Sequence, residues 1–404
     1  MNIIYFVPNI NIAGGIFRIV SDKMNYLAEN IEGKLYLAYY GNGCEKPIYP
    51  LHPNIQLIPI NIDWNVGFGK KILKLLKNIR KIHYIFTKCR IDIAVNANAP
   101  LLIWILPFVC RRIKKVYEFH FSYEGQQILD EEIFKSRVKR YLVQYLRKRC
   151  LTKFDKVVAL TESDKKMWGM QNILVIPNFS NIQQHQVCCR KNRVAVSAGR
   201  LETVKGYDRL IHAWAIIAHK YPDWQLEIWG NGSLKYRLQQ QINALHLSSV
   251  VHLKGISHNM GEVYARSSFF VMSSLYEGFP LVLVEAMNCG LPCVSFDITG
   301  ANSIIENNKN GFLVPNNNID ALANACIKLM EDRTLLENMG SEAYISSGRF
   351  SKQQIMQKWM ILYGELMGEK IYNGKNYNHL WGIERSGFFN GRGKWAKGFE
   401  NQRV

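Results

Sequence analysis

The chain has 404 residues, 48% of them hydrophobic, so it holds enough apolar surface for two or three packed cores and is not a disordered polypeptide. Its nine cysteines are odd in number and lack zinc-like spacing, which reads as a reduced, cytosolic chain without a disulfide framework. A formal charge of +19 calls for a polyanionic partner, whether nucleic acid, an anionic membrane surface or a phosphorylated ligand.

The N-terminus, "MNIIYFVPNINIAGG", has neither a basic leader nor a long apolar region, so no signal peptide is expected. Short β-branched or aromatic runs then alternate with longer amphipathic ones, the pattern of βα units around a parallel sheet. In the first half the strand candidates are "NIIYFVP", "KLYLAYY", "IQLIPI", "IDIAVNA", "KKVYEFH" and "KVVAL", with helices over 15–30, 69–88 and 131–149. The apolar run "PLLIWILPFV" (100–109) is too short to span a bilayer. Residues 172–192 pass from a strand into a polar stretch that reads as a linker.

The pattern restarts with "RVAVSAGRL", "WQLEIWGNG", "VVHLKGIS", "FFVMSS" and "PCVSFD", and with helices over 206–220, 233–246 and 260–267. The expected organisation is an N-terminal doubly wound domain (1–178), a linker (179–192) and a C-terminal doubly wound domain (193–350). A helix over 351–368 is expected to cross the domain junction, and a basic, aromatic tail (369–404) to be mobile.

Open α/β sheets bind ligands beyond the carboxyl ends of their strands, so the strand-to-helix turns are where chemistry is sought. Gly14-Gly15 follow the first strand and open a helix whose free amides suit a phosphate, although a plain tight turn explains them equally. Arg200 and Lys205 flank the turn "GRLETVKGYDRL", where two cations beside backbone donors match a diphosphate; solvated surface cations are the alternative.

The stretch "LYEGFPLVLVEAMNCGLP" (275–292) poses the sharpest question, because Glu285 stands among valines and leucines, where an unpaired charge is costly. Pro280 presets a helix beginning near Leu281, which leaves Glu277 in the loop before it and Glu285 one turn inside. Two carboxylates that accept from hydroxyls, with amides around Phe279–Leu281 between them, fit one ligand carrying diol, diphosphate and polyol. A nucleotide sugar is such a ligand.

Residues 273–294, "SSLYEGFPLVLVEAMNCGLPCV", resemble the two-glutamate signature of retaining glycosyltransferases of family 4. "GRLETVKGYDRL" is similar to that family's phosphate-binding turn, and the diglycine to its first loop. The resemblance implies a GT-B fold, two Rossmann-like doubly wound parallel-sheet domains facing across a cleft. It implies that Glu285 binds the ribose and Glu277 the donor sugar, and that Arg200 and Lys205 hold the diphosphate. Gly14, Gly15, Gly278, Phe279 and Leu281 would add backbone donors, Pro280 would line the same donor site, and Ile256 would support the base. His120, at the end of an N-domain strand, would face the sugar, with a core histidine as the alternative. Two positions depart from the pattern: Phe17 and Ser303 stand where many relatives carry an acid.

The reaction implied is retaining transfer of a hexose or N-acetylhexosamine from a nucleoside-diphosphate sugar, UDP-linked in the first instance, with no cofactor and no metal. The acceptor would be a saccharide, lipid- or polyprenyl-diphosphate-linked, in cell-surface glycan assembly. A GT-B epimerase of sugar nucleotides, or a non-catalytic membrane-associated partner of another transferase, remain the alternatives; nucleic acid leaves both glutamates unexplained. Three basic blocks occur in the N-terminal domain, at 69–90, 110–115 and 135–150. In the first, Lys70, Lys74, Lys77, Lys81 and Lys88 fall opposite Ile72, Leu75, Leu76, Ile79, Ile82 and Phe86. That face is expected to lie on anionic lipid, making the protein cytoplasmic and peripheral at the inner membrane face, unless it is only a solvated helix surface.

Overall fold

The structure is a computed structural model, which describes residues 1–12, 14–60, 68–182, 192–257 and 259–368, with the side chains of 68–75 excepted. The tail 369–404 and most of the expected linker therefore lie outside the described residues.

The described strands form two parallel sheets. The first holds β1 (Ile3–Val7), β2 (Leu35–Tyr40), β3 (Ile55–Ile60), β4 (Ile93–Ala97), β5 (Lys114–Glu118), β6 (Lys156–Ala159) and β7 (Ile173–Val175), in the order β3-β2-β1-β4-β5-β6-β7. The second holds β8 (Val194–Ala198), β9 (Gln225–Trp229), β10 (Val251–Gly255), β11 (Phe269–Met272), β12 (Cys293–Phe296) and β13 (Gly311–Val314), in the order β10-β9-β8-β11-β12-β13. Both sheets reverse their winding once, at β1/β4 and at β8/β11, and a crevice opens at each reversal. This is the doubly wound, two-domain GT-B architecture.

Strands such as IIYFV and FFVM are buried along their whole length, as expected where helices cover both faces of a sheet. Two elements differ from the sequence reading. The helix expected over 131–149 is two helices, Tyr123–Ile133 and Arg137–Leu151, because Ser136 caps a fresh N-terminus by accepting from the Lys139 amide. Strand β13 went unread: its four residues, GFLV, sit in an Asn-rich stretch that masks them.

Beyond the second domain the chain returns to the first. Phe350 packs in the second domain's core, but Ile355, Met356, Trp359, Tyr363 and Leu366 of helix Lys352–Leu366 join the core beneath helix Gly15–Asn30. There the chain buries an ion pair. Lys23 donates to Glu118, both side chains are almost wholly buried, and the Lys23 ammonium lies 4.1 Å from the Trp359 ring centre. Burial holds Lys23 below the usual lysine range, against the pull of Glu118.

Removing one member of such a pair strands the other charge. Lys23→Met is expected to lower the stability of the N-terminal domain by about 3–5 kcal/mol. The double variant Lys23→Met, Glu118→Gln should recover most of that loss. Urea unfolding of the two variants beside the wild type measures both effects; a single variant as stable as the wild type would contradict them.

Candidate donor-binding cleft

The residues singled out on the second domain converge because β8 and β11 are neighbours. The turn after β8 carries exposed Arg200 and half-buried Lys205. The loop after β11 carries Glu277, and the two segments are tied together. The Leu275 amide donates to the Val204 carbonyl at 2.9 Å, and the Ser273 hydroxyl to the Lys205 carbonyl at 2.9 Å. Gly206 makes the approach possible: its φ is +62°, and a Cβ there would sit 2.2 Å from the Ser273 carbonyl oxygen. Lys205 consequently donates directly to Glu277, which also accepts from the Ser274 hydroxyl at 2.9 Å.

Helix Leu281–Asn288 starts immediately after Pro280, and no side chain caps its first turn. Phe279 is buried, its ring meeting Phe350 edge-on at 5.4 Å. Glu285 is buried one turn in, as its apolar neighbours require. Its carboxylate is not alone. Arg18 approaches Oε1 at 3.4 Å from the first domain, and the Tyr264 hydroxyl donates to Oε2 at 3.3 Å. Burial raises the Glu285 pKa, opposed by Arg18 and by the Tyr264 hydrogen bond.

Across the crevice, Gly14 is extended and Gly15 begins helix Gly15–Asn30, with no side chain capping its N-terminus. A Cβ at either glycine would meet no protein atom within 4 Å, so packing against the protein does not demand them. Phe17 instead packs in the first domain's core against Tyr49, and Ser303 donates to the Gly300 carbonyl at 2.7 Å. Ile256 is exposed just past β10.

His120 follows β5 by two residues, and its backbone lines the crevice. A Cβ on Gly278 would lie 3.0 Å from the Ser122 nitrogen and 3.3 Å from the His120 carbonyl oxygen, so the two domains meet here. The imidazole, expected to face the sugar, turns inward: its side chain is 2% exposed, with Nε2 3.5 Å from Glu118. Burial lowers its pKa to about 4, helped by Lys23 and opposed by Glu118, so the ring is neutral near pH 7. Among the described residues, neither His120 Nε2 nor Glu118 Oε2 has a hydrogen-bond partner.

Sequence reasoning missed Arg18, Tyr264 and the Lys23–Glu118 pair. Arg18 carries no local signal, since its partner lies 267 residues away in the other domain. Lys23 did carry one, because it sits on the same helical face as Val20 and Leu27. Glu118 and His120, two apart along an extended segment, likewise share a side with Val116.

The basic blocks differ from one another. Helix Phe68–Lys88 packs through Ile82, Ile85 and Phe86 and exposes Lys77, Lys81 and Lys88. Leu76, expected on its apolar face, is exposed, and the side chains of Lys70 and Lys74 lie outside the described residues. Within 110–115, Lys115 is buried and donates to the carbonyls of Cys110 and Ile113, and Lys114 meets Asp155 at 3.4 Å, so Arg111 and Arg112 are the cations of that block that stand exposed. No helix among the described residues is long and apolar enough to cross a membrane.

Residues 180–346 match the family model described as "Glycosyl transferases group 1". A glycosyltransferase of Haemophilus influenzae, itself uncharacterized, is 27% identical over 362 residues, covering 88% of this chain and 98% of that protein. The amylovoran biosynthesis glycosyltransferase AmsD of Erwinia amylovora is 30% identical over 229 residues, 54% of this chain and 64% of its own length. Among solved structures, Anabaena HepE in complex with UDP superposes with a TM-score of 0.71 at 20% identity, covering 90% of this chain and all of that one. Together these matches align residues 180–346 with the group 1 glycosyltransferases, and the chain as a whole with the GT-B fold.

Proposed function

We propose that this chain transfers a hexose or N-acetylhexosamine from a nucleoside-diphosphate sugar to a saccharide acceptor, with retention at the anomeric carbon. The observation that carries the reading is the contact of Lys205 with Glu277 at the ends of adjacent strands, with Arg200 in the same turn as Lys205, Glu285 one turn into the helix that follows Glu277, and an uncapped helix N-terminus on the other domain. Cations and open amides suit a diphosphate, and the two carboxylates suit the hydroxyls on either side of it. UDP is the favoured nucleotide, since HepE is described in complex with it. Assembly of a cell-surface polysaccharide is the favoured setting, since AmsD is named for amylovoran biosynthesis.

In this reading Glu285 takes the ribose hydroxyls and Glu277 the sugar's. Lys205 exchanges its bond to Glu277 for a diphosphate oxygen, which frees that carboxylate for the sugar. The bond between the anomeric carbon and the diphosphate oxygen breaks, and the electron pair leaves with the nucleoside diphosphate. Arg200, Lys205 and the amides of the first turn at Leu281 stabilise that growing charge, and so no metal is required. An acceptor hydroxyl forms the new bond on the face the leaving group vacates, and its proton departs with the leaving diphosphate. His120 contributes its backbone to the wall against Gly278; its neutral ring stays seated on Glu118. The acceptor is lipid-linked, and the enzyme works at the inner face of the membrane, held by its basic N-terminal domain.

Arg200→Ala and Lys205→Ala are each expected to lower turnover of a UDP-sugar by about 10²-fold or more, with urea unfolding unchanged. Turnover near wild type in a folded variant would make these ordinary surface cations. The product's anomeric proton, followed by NMR, should keep the donor's configuration. Activity should persist in EDTA; a loss restored by Mn²⁺ would overturn metal independence.

A further inference from the structure

Helix Arg137–Leu151 shows an apolar stripe to solvent on a folded domain. Val138 is 79% exposed, Tyr141 73%, Leu142 53% and Tyr145 50%. Their spacing of i, i+3, i+4 and i+7 puts them on one face, and Leu146 widens it. The opposite face is the packed one: Arg147 forms a two-pronged ion pair with Asp130 at 2.6 and 2.7 Å, and Gln144 donates to Gln127 and Asp130. The stripe is thus not a mis-set core face; the domain holds the helix through Gln144, Arg147 and the buried Leu151 and leaves the apolar stripe free.

Cations border the stripe. Arg137, Lys139, Lys148 and Arg149 are exposed along its flanks and end, and the helix contains no acid. The Arg149 guanidinium lies 5.8 Å from the Tyr145 ring centre. Isolated exposed leucines need no explanation, but four large apolar side chains in register do.

We propose that helix Arg137–Leu151 lies in the interface of an anionic bilayer, inserting Val138, Tyr141, Leu142 and Tyr145 below the headgroups while its rim of cations binds lipid phosphate. An apolar stripe with cationic borders, parallel to the surface and rich in tyrosine, matches the layered polarity of that interface. Two other occupants are disfavoured by charge: a second copy would set one acid-free basic helix against another, and the chain's own segment 369–404 carries more cations than acids. This inference rests on the membrane reading above and relocates its anchor. Helix Phe68–Lys88 offers exposed lysines for attraction, whereas helix Arg137–Leu151 supplies the insertion.

The position also serves transfer. Helix Tyr123–Ile133 begins at the cleft, where Ser122 and Gly125 face Gly278 and Tyr276, and ends with exposed Ile133 just before the stripe's helix. Its 11 residues span about 16 Å, a distance a lipid-linked saccharide headgroup can bridge.

Co-sedimentation of the full chain with vesicles of phosphatidylcholine, alone or with a third phosphatidylglycerol, is the test. Wild type is expected on the anionic vesicles and not on the neutral ones. Substituting Val138, Tyr141, Leu142 and Tyr145 together by Ser should cut partitioning about tenfold or more, with urea unfolding unchanged. Lys77→Glu with Lys81→Glu should weaken binding less, and mainly at low salt. As a reporter that does not depend on losing binding, Leu142→Trp should add a fluorescence component that shifts to the blue on anionic vesicles. Wild-type binding with no effect of the serine variant and no shift of the new tryptophan would overturn the helix's role and leave peripheral attachment standing. Loss of binding only on deleting 369–404 would do the same and assign the anchor to the tail. No wild-type binding to anionic vesicles would overturn attachment itself. If the stripe instead binds an acidic protein surface, the serine variant will lose a protein complex while vesicle binding stays intact, which equally overturns the proposal.

Discussion

A carboxylate buried in an apolar helix must find a partner, and Glu285 finds its cation on the other domain. Helix Leu281–Asn288 has almost no polar face, so its one acid cannot turn to solvent without unseating Leu283, Val284 and Met287 from the core. Arg18 and Tyr264 are what compensate it in the free protein. Two partners at 3.3–3.4 Å are long for a buried charge, and desolvation still dominates, as the raised pKa records. Such a group gains from a ligand that brings two closer hydroxyl donors. The same cost that makes Glu285 conspicuous in sequence is what supports the binding role proposed for it.

The parallel topology decides what surrounds it. With every strand of the second sheet running the same way, the turns after β8 and β11 emerge side by side at the winding reversal. Lys205 and Glu277, 72 residues apart, then have to meet, and at Gly206 the backbones approach too closely for a side chain. Helix Lys352–Leu366 closes the arrangement from behind, seating Trp359 over Lys23 so that helix Gly15–Asn30 presents its open N-terminus to the crevice. Domain register, buried ion pair and cleft are parts of one construction.

Much of this was legible because local rules and the fold agree. Uniformly apolar runs such as FFVM marked buried parallel strands, and Pro280 marked the start of a helix. Glu277, Glu285, Arg200 and Lys205 stood out as charges at turns or in greasy surroundings. What stayed hidden depended on long-range packing. Arg18 looks like any surface cation until the second domain is placed opposite it. His120 is a plausible cleft residue by position, yet its ring turns inward beside Glu118, which Lys23 holds, and only the packing of helix Gly15–Asn30 against β5 reveals that. The basic blocks read alike in sequence and separate only by exposure: Lys115 is consumed inside the fold, while the helix beginning at Arg137 turns its apolar face outward.

The claim most open to direct measurement is that Glu285 holds the nucleotide. Calorimetric titration of wild type and Glu285→Gln with UDP, and with the other nucleoside diphosphates, reads it without requiring the acceptor. Loss of a charged hydrogen bond to the ribose predicts binding weaker by about 1–3 kcal/mol, roughly five- to 150-fold in Kd, for whichever nucleotide the wild type prefers. Unchanged affinity for every nucleoside diphosphate in a folded Glu285→Gln protein would contradict it, and Glu285 would then be no more than the internal counter-ion of Arg18.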